Sequence, residues 1–227
     1  MYDALFVGHS NVVAIARNID SEKYSGLSML TLNLRVEEDK VRFEKAQDGD
    51  MKDALKARAC FSMVGGNAHH LFGLIENPVP FDICLDSPPQ DGRVMLHYAF
   101  VQEIFESWFQ ALFDILERIA RTWDNVSHIC SPPPIGDEFH LRKYPGVFCD
   151  RLHLGITPKA IRRKVYDIQC DIFRRKCAAI GVKFMEVPVQ AVDHEGFLRP
   201  EYYNLDATHG NRAYGQLVLN QIVGALA

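Results

Sequence analysis

The run Ala4-Leu5-Phe6-Val7-Gly8-His9-Ser10-Asn11-Val12-Val13-Ala14-Ile15 decides how this chain is read. Its apolar opening, Ala4 to Val7, has no polar alternation and so has the character of a short strand buried on both faces. From Val12 the apolar spacing turns helical, which makes Gly8-His9-Ser10-Asn11 a strand-to-helix corner with a serine in it. In open α/β folds ligands bind at such corners, because strand carboxyl ends and helix amino ends converge there and free backbone N–H groups favour negative charge. On local grounds the serine has two readings, a nucleophile or the N-cap of the helix that follows.

Outward from that corner the chain alternates strands with helices. Asn11 to Ile19 reads as the first helix, and Ser28 to Leu34 alternates as a second strand. The charged stretch Arg35 to Lys45 gives no clear pattern, and Asp48-Gly49-Asp50 reads as a turn before a short helix over Met51 to Ala57. Cys60 to Val64 is a third strand ending in Gly65-Gly66-Asn67. Residues 73–98, rich in proline and aspartate, read as an inserted lid or binding loop, or a small hairpin through Phe81 to Leu85 and Val94 to Tyr98.

A long amphipathic helix starts at Ala99, with Val101, Ile104, Phe105, Trp108, Leu112, Ile115, Leu116, Ile119 and Trp123 on its apolar face. Val126 to Cys130 is the fourth strand, stopped by Pro132-Pro133-Pro134. Thr157-Pro158 starts another helix, as N-cap and first-turn proline, and Gly181 ends it. Its basic clusters, Arg162-Arg163-Lys164 and Arg174-Arg175-Lys176, read as a solvated face. Val182 to Val187 is the fifth strand, and a terminal helix runs to about Gly224. This rhythm implies a single doubly wound α/β domain over residues 1–227, built on a parallel five-stranded sheet.

Composition narrows the function. A chain of 227 residues with 48% hydrophobic content can bury one sizeable core. The net charge of -4 supplies no basic field to recruit nucleic acid or an anionic membrane, so neither is expected as a partner. No run approaches the roughly 18 apolar residues of a membrane span, and the amino terminus shows no signal-peptide pattern, so the expected location is cytoplasmic. The six cysteines have no metal-ligand spacing and read as reduced core thiols; no metal or cofactor is expected.

In a parallel sheet the ends of the first and third strands and the loop before the last helix can reach one rim. Those places hold Ser10, Asn67, and the pair Asp206 and His209. Together they supply what serine-dependent ester cleavage needs: a nucleophile, an imidazole to take its proton, a carboxylate to fix the imidazole tautomer, and an oxyanion donor. The Asp206-Ala207-Thr208-His209 spacing lets the carboxylate accept from Nδ1 while Nε2 faces Ser10.

Taken in order, the blocks Gly8-His9-Ser10-Asn11, Gly65-Gly66-Asn67 and Asp206 to His209 resemble those of the SGNH (GDSL-like) hydrolases. Pro132-Pro133-Pro134 and the Asn211, Ala213, Tyr214 and Gly215 positions after the histidine add to the likeness, which spans the whole chain. The resemblance implies a flavodoxin-like three-layer α/β/α sandwich and an esterase acting on a small-molecule or carbohydrate ester, such as a sugar O-acetyl group. It implies Ser10 as nucleophile, His209 and Asp206 as its partners, and Asn67 as an oxyanion donor. The family's further glycine donor has no clean match, and Gly49 is the candidate because it precedes the expected second helix. Two positions depart from the family: His9 stands where an acid precedes the nucleophile, and Ala68 where Asp often follows Asn67. His69 and His70 beside Asn67 read as polar loop residues or substrate contacts. Acyl transfer from the same site, or a decayed ligand-binding module, are the competing functional readings.

Overall fold

A computed structural model describes residues 1–65, 67–84 and 92–226. Gly66 and residues 85–91 of the expected loop, including Ser87-Pro88-Pro89, lie outside the described residues. Five strands form one parallel sheet: β1 (Tyr2–Gly8), β2 (Met29–Asn33), β3 (Ala57–Met63), β6 (Val126–Ile129) and β7 (Lys183–Met185), in the spatial order β2-β1-β3-β6-β7. The chain winds outward from β1 to β2 and then returns to place β3 on the other side of β1. The order therefore reverses between β1 and β3, and the crevice over the carboxyl ends of those two strands is the switch point where ligands bind in such sheets. Ser10 follows β1 and Asn67 follows β3.

Strand alternation builds the layers. Ala4 and Phe6 lie in register with Ala59 and Phe61 and pack with α1 (Val12–Ala16) and α7 (Arg212–Leu226), the Phe6 and Phe61 rings stacking at 5.3 Å. Leu5, Val7, Leu32 and Cys60 point the other way, onto Phe43 of α2 (Glu37–Gln47) and Leu116, Ile119 and Trp123 at the end of α4 (Tyr98–Thr122). Gly8 sits where β1 and β3 approach most closely at the rim: a Cβ there would fall 2.7 Å from both Cβ and the carbonyl oxygen of Met63. Any side chain at that position would push Ser10 away from the third strand. No described helix is long and apolar enough to cross a membrane.

Several local expectations are corrected. The uninterpreted charged stretch is helix α2; only its Phe43 and Ala46 are buried, too narrow a stripe to register as amphipathic, while Glu37, Glu38 and Asp39 favour its amino end. The helix expected over Met51 to Ala57 is absent: those residues form turns and the start of β3. Gly49 thus follows the second helix instead of preceding it, with a φ of +96° that favours glycine in the turn. The expected hairpin is a pair of parallel strands, β4 (Phe81–Cys84) and β5 (Val94–His97), with Phe81 opposite Val94 and Cys84 opposite His97.

Two helices bury residues that the expected faces left out or placed in solvent. On α4, Phe109 and Phe113 are buried and Trp108 is 50% exposed, because its first half packs on β4 and α6 (Lys159–Ala179) and only its last turns meet the sheet. On α6, Arg162 and Lys164 are buried. Arg162 donates to the carbonyls of Ile135, Gly136 and Thr157, and Lys164 pairs with the buried Asp82 carboxylate at 2.8 Å. The helix also starts one residue later than expected, with Pro158 rather than Thr157 at the cap. All six cysteines are unpaired thiols, but only Cys60, Cys130, Cys170 and Cys177 are core residues; Cys84 and Cys149 are exposed.

Candidate active site

Ser10 lies in the turn between β1 and α1, where the carbonyls of His9 and Ser10 accept from the Val12 and Val13 N–H groups. That leaves the Ser10 side chain free of a capping role: its Oγ lies 2.9 Å from Nε2 of His209. Nδ1 of His209 in turn lies 3.1 and 3.2 Å from the two oxygens of Asp206. With Nδ1 donating to the carboxylate, Nε2 is the acceptor for the serine proton.

The loop that carries Asp206 and His209 closes on itself. Tyr203 bridges Gly210, and the Asn204 N–H donates to the His209 carbonyl at 3.1 Å. Asp206 accepts from the backbone N–H groups of Thr208 and His209, each at 2.8 Å, and from Asn204 Nδ2 at 2.7 Å. Burial works to raise the Asp206 carboxyl, but the His209 ring and the Thr208 and His209 N–H groups hold it well below the usual carboxylate range. It stands ionised beside the imidazole.

Other histidines support this loop. His140, on α5 (Glu138–Lys143), reaches the Asn204 and Asp206 carbonyls with Nε2 at 3.0 and 3.2 Å, its ring tilted against Tyr144 and Tyr203. His69 and His70 are buried residues of α3 (Ala68–Gly73), not loop residues. Their rings lie 3.9 Å apart, and Nδ1 of His69 lies 3.1 Å from the Gln169 side-chain oxygen. Burial, with the charges of His69, His209 and Arg162 nearby, drives His70 well below the usual histidine range, so a neutral ring packs against the Thr208 backbone. Sequence reasoning gave His140 no role, and no local signal marks it, since its partners are 64 and 66 residues away.

Asn67 occupies the first position before α3 without using its side chain as a cap. Its Oδ1 is buried and unpartnered, and Nδ2 makes no hydrogen bond among the described residues. The Ser10 backbone N–H is likewise uncommitted there. Ser10 and His209 stand between two cavities. One, of about 200 Å³, runs between α1, α7 and the end of β6 past Tyr214 and Cys130. The other, of about 450 Å³, holds Asn67, His9 and Arg35, with Leu71, Leu112, Val147 and Phe148 in its walls. Because Asn67 lines only the larger cavity, that is the side on which an oxyanion could be received.

The structure thus brings Ser10, Asp206, His209 and Asn67 to one rim but not Gly49. That glycine lies in the turn from α2 to β3, whose far side meets the start of β1, at the amino ends of the strands and so at the opposite rim. The position beside Ser10 at the end of β2 is taken instead by Arg35.

The chain is similar in fold to several solved structures. One, assigned as an acylhydrolase of Bacteroides fragilis NCTC 9343, superposes with a TM-score of 0.51 at 10% identity, covering 98% of this chain and 85% of that one. A second, assigned as a platelet activating factor from Streptococcus pneumonia, gives 0.52 at 14% identity, covering 100% and 84%. A GDSL-like lipase from Bacteroides thetaiotaomicron VPI-5482 gives 0.48 at 12% identity over 98% and 86%. The sequence matches no protein-family profile. It matches no curated protein either. These likenesses are of fold: a parallel five-stranded sheet between helix layers, the three-layer α/β/α arrangement.

Proposed function

We propose that this protein is a serine esterase that cleaves a carboxylic ester through an acyl-enzyme on Ser10. The observation that carries this reading is the unbroken chain from the Asp206 carboxylate through His209 to Ser10 Oγ, at 3.1 and 2.9 Å, opening on the cavity that Asn67 lines. In the proposed reaction Ser10 Oγ attacks the ester carbonyl carbon and passes its proton to His209 Nε2. The Ser10 N–H and Asn67 Nδ2 receive the oxyanion, and collapse of the tetrahedral adduct expels the alcohol, which takes the proton back from His209. Water, deprotonated by the same imidazole, then attacks the acyl-Ser10 carbonyl; the acyl–Oγ bond breaks, Ser10 Oγ takes the proton from His209, and the acid is released. Asp206 holds Nδ1–H throughout and offsets the charge of the imidazolium.

Labelling with a fluorophosphonate probe and hydrolysis of 4-nitrophenyl acetate test the reading together. Ser10→Ala is expected to abolish labelling and to lower kcat/KM by at least about 10³-fold. Unchanged labelling and turnover in that variant overturn it. Acetylated carbohydrates, the sugar O-acetyl esters that the family resemblance implies, are a natural first substrate panel.

A further inference from the structure

The larger cavity carries a cation, Arg35, that no described residue pairs with. Arg35 stands in the turn leaving β2, where its own N–H donates to Asn33 Oδ1 at 3.1 Å and the flanking Leu34 and Val36 N–H groups donate to the carbonyls of Gly8 and Asn33, each at 2.8 Å. The backbone is therefore fixed, yet the guanidinium makes no hydrogen bond or ion pair with any described residue. It lines the same cavity as Ser10 and Asn67. Among the described residues the only carboxylate lining that cavity is Asp206, whose oxygens are already taken up by Asn204, Thr208 and His209.

The residue before the nucleophile sharpens the point. Where the resembled family carries an acid, this chain has His9, half-buried in the same cavity. An acid there would face Arg35 and cancel its charge. The histidine does not: burial first, and the Arg35 charge second, push its proton off. The cavity is thus positive at one end and apolar along Leu71, Leu112, Val147 and Phe148.

We infer that Arg35 selects esters bearing an acidic group, a carboxylate or phosphate on the acyl or the alcohol portion, with the rest of the substrate apolar. The inference rests on the esterase reading of the same site and adds the substrate class to it. A guanidinium meets either oxyanion through paired, charge-assisted hydrogen bonds, and it gains most where no internal acid competes.

The test uses matched neutral and anionic esters. On the acyl side, 4-nitrophenyl hydrogen glutarate is compared with 4-nitrophenyl glutaramate; on the alcohol side, 3-acetoxybenzoate is compared with 3-acetoxybenzamide. The wild-type protein is expected to prefer the anionic member of one pair by about 10- to 100-fold in kcat/KM, and the pair identifies the side on which the charge sits. In Arg35→Gln that ratio is expected to fall to near unity. Arg121→Gln, which removes an exposed charge from the far end of α4, is expected to keep it. A wild-type ratio near unity in both pairs, or a ratio unmoved by Arg35→Gln, overturns the inference, while neutral-ester turnover and Ser10 labelling would leave the esterase reading standing. Should no ester turn over, calorimetric titration with 3-acetoxybenzoate decides the matter: binding at least tenfold tighter to wild type than to Arg35→Gln supports anion selection, and equal binding refutes it.

Discussion

Truncation of Asn67 separates a chemical role from a structural one more cleanly than any other change in the site. In the resting protein its Nδ2 has no described partner, its Oδ1 is buried without one, and it makes no cap for α3. Asn67→Ala therefore deletes no hydrogen bond among the described residues, and it relieves one buried acceptor that has none. Thermal stability is expected to stay within about 0.5 kcal/mol of the parent, the range of changes that touch no structural feature. Catalysis is expected to behave otherwise. One oxyanion donor is worth about 3–4 kcal/mol, which at about 1.4 kcal/mol per decade predicts a loss of about 10²- to 10³-fold in kcat. Since the donor acts on the tetrahedral adduct more than on the bound ester, KM should move little. The assay is steady-state hydrolysis of 4-nitrophenyl acetate beside a melting curve on the same preparation. Parent-like kcat with a parent-like melt removes Asn67 from the oxyanion site; a fall in kcat matched by a collapse in stability shows that its role was structural.

His140→Phe keeps the ring among Tyr144 and Tyr203 but strips the donor from the Asn204 and Asp206 carbonyls. A stability loss of about 1–3 kcal/mol with a lowered kcat is expected in denaturant titration and ester assay, and an unchanged kcat would show that the loop holds its shape unaided. A second expectation concerns acid. His69, His70 and His128 are buried and held neutral by that burial, His69 down to about 4 and His128 down to about 3. Their folded pKa values lie below the unfolded value near 6.5, so the unfolded chain binds more protons and stability falls as pH drops below about 6.5. Each contributes a slope of about 1.4 kcal/mol per pH unit between its two values. His128→Phe, which preserves the stack on Phe173, should flatten urea-measured stability against pH by about that amount, and a slope equal to the parent's would refute the assignment.

The sheet was legible because its first strand, an interior one, is apolar on both faces, and only burial between two helix layers accounts for that run in Ala4 to Val7. Helix α2 escaped notice for the converse reason: a surface helix that buries two side chains leaves almost no periodic trace. The apolar face of α4 was misjudged because a single stripe describes a helix on one surface. This helix changes surface along its length, so Phe109 and Phe113 turn inward and Trp108 turns out. Arg162 and Lys164 show the limit of charge counting. Their burial depends on carbonyls near residue 135 and on Asp82, which no window around α6 contains. Gly49 was assigned on the expectation of a following helix, and it moved to the wrong rim of the sheet once that helix proved to precede it. The candidate site itself was legible only as separate blocks, because the reversal of strand order between β1 and β3 is what turns sequence neighbours of two strands into neighbours in space.

The two halves of the candidate site are held by different physics. Ser10 and Asn67 follow strands locked in a parallel ladder and pressed together at Gly8, so moving either one requires breaking sheet pairing. Asp206 and His209 have no ladder. Their loop is shaped by the Asp206 carboxylate, which accepts the His209 ring and also the Thr208 and His209 backbone N–H groups. The acid that orients the imidazole is therefore also the centre around which its loop is wound, and removing it would change tautomer and loop position together. His140 binds the same loop through carbonyls alone and leaves the carboxylate untouched. It is the residue at which positioning of the imidazole can be varied while its electrostatic partner stays in place.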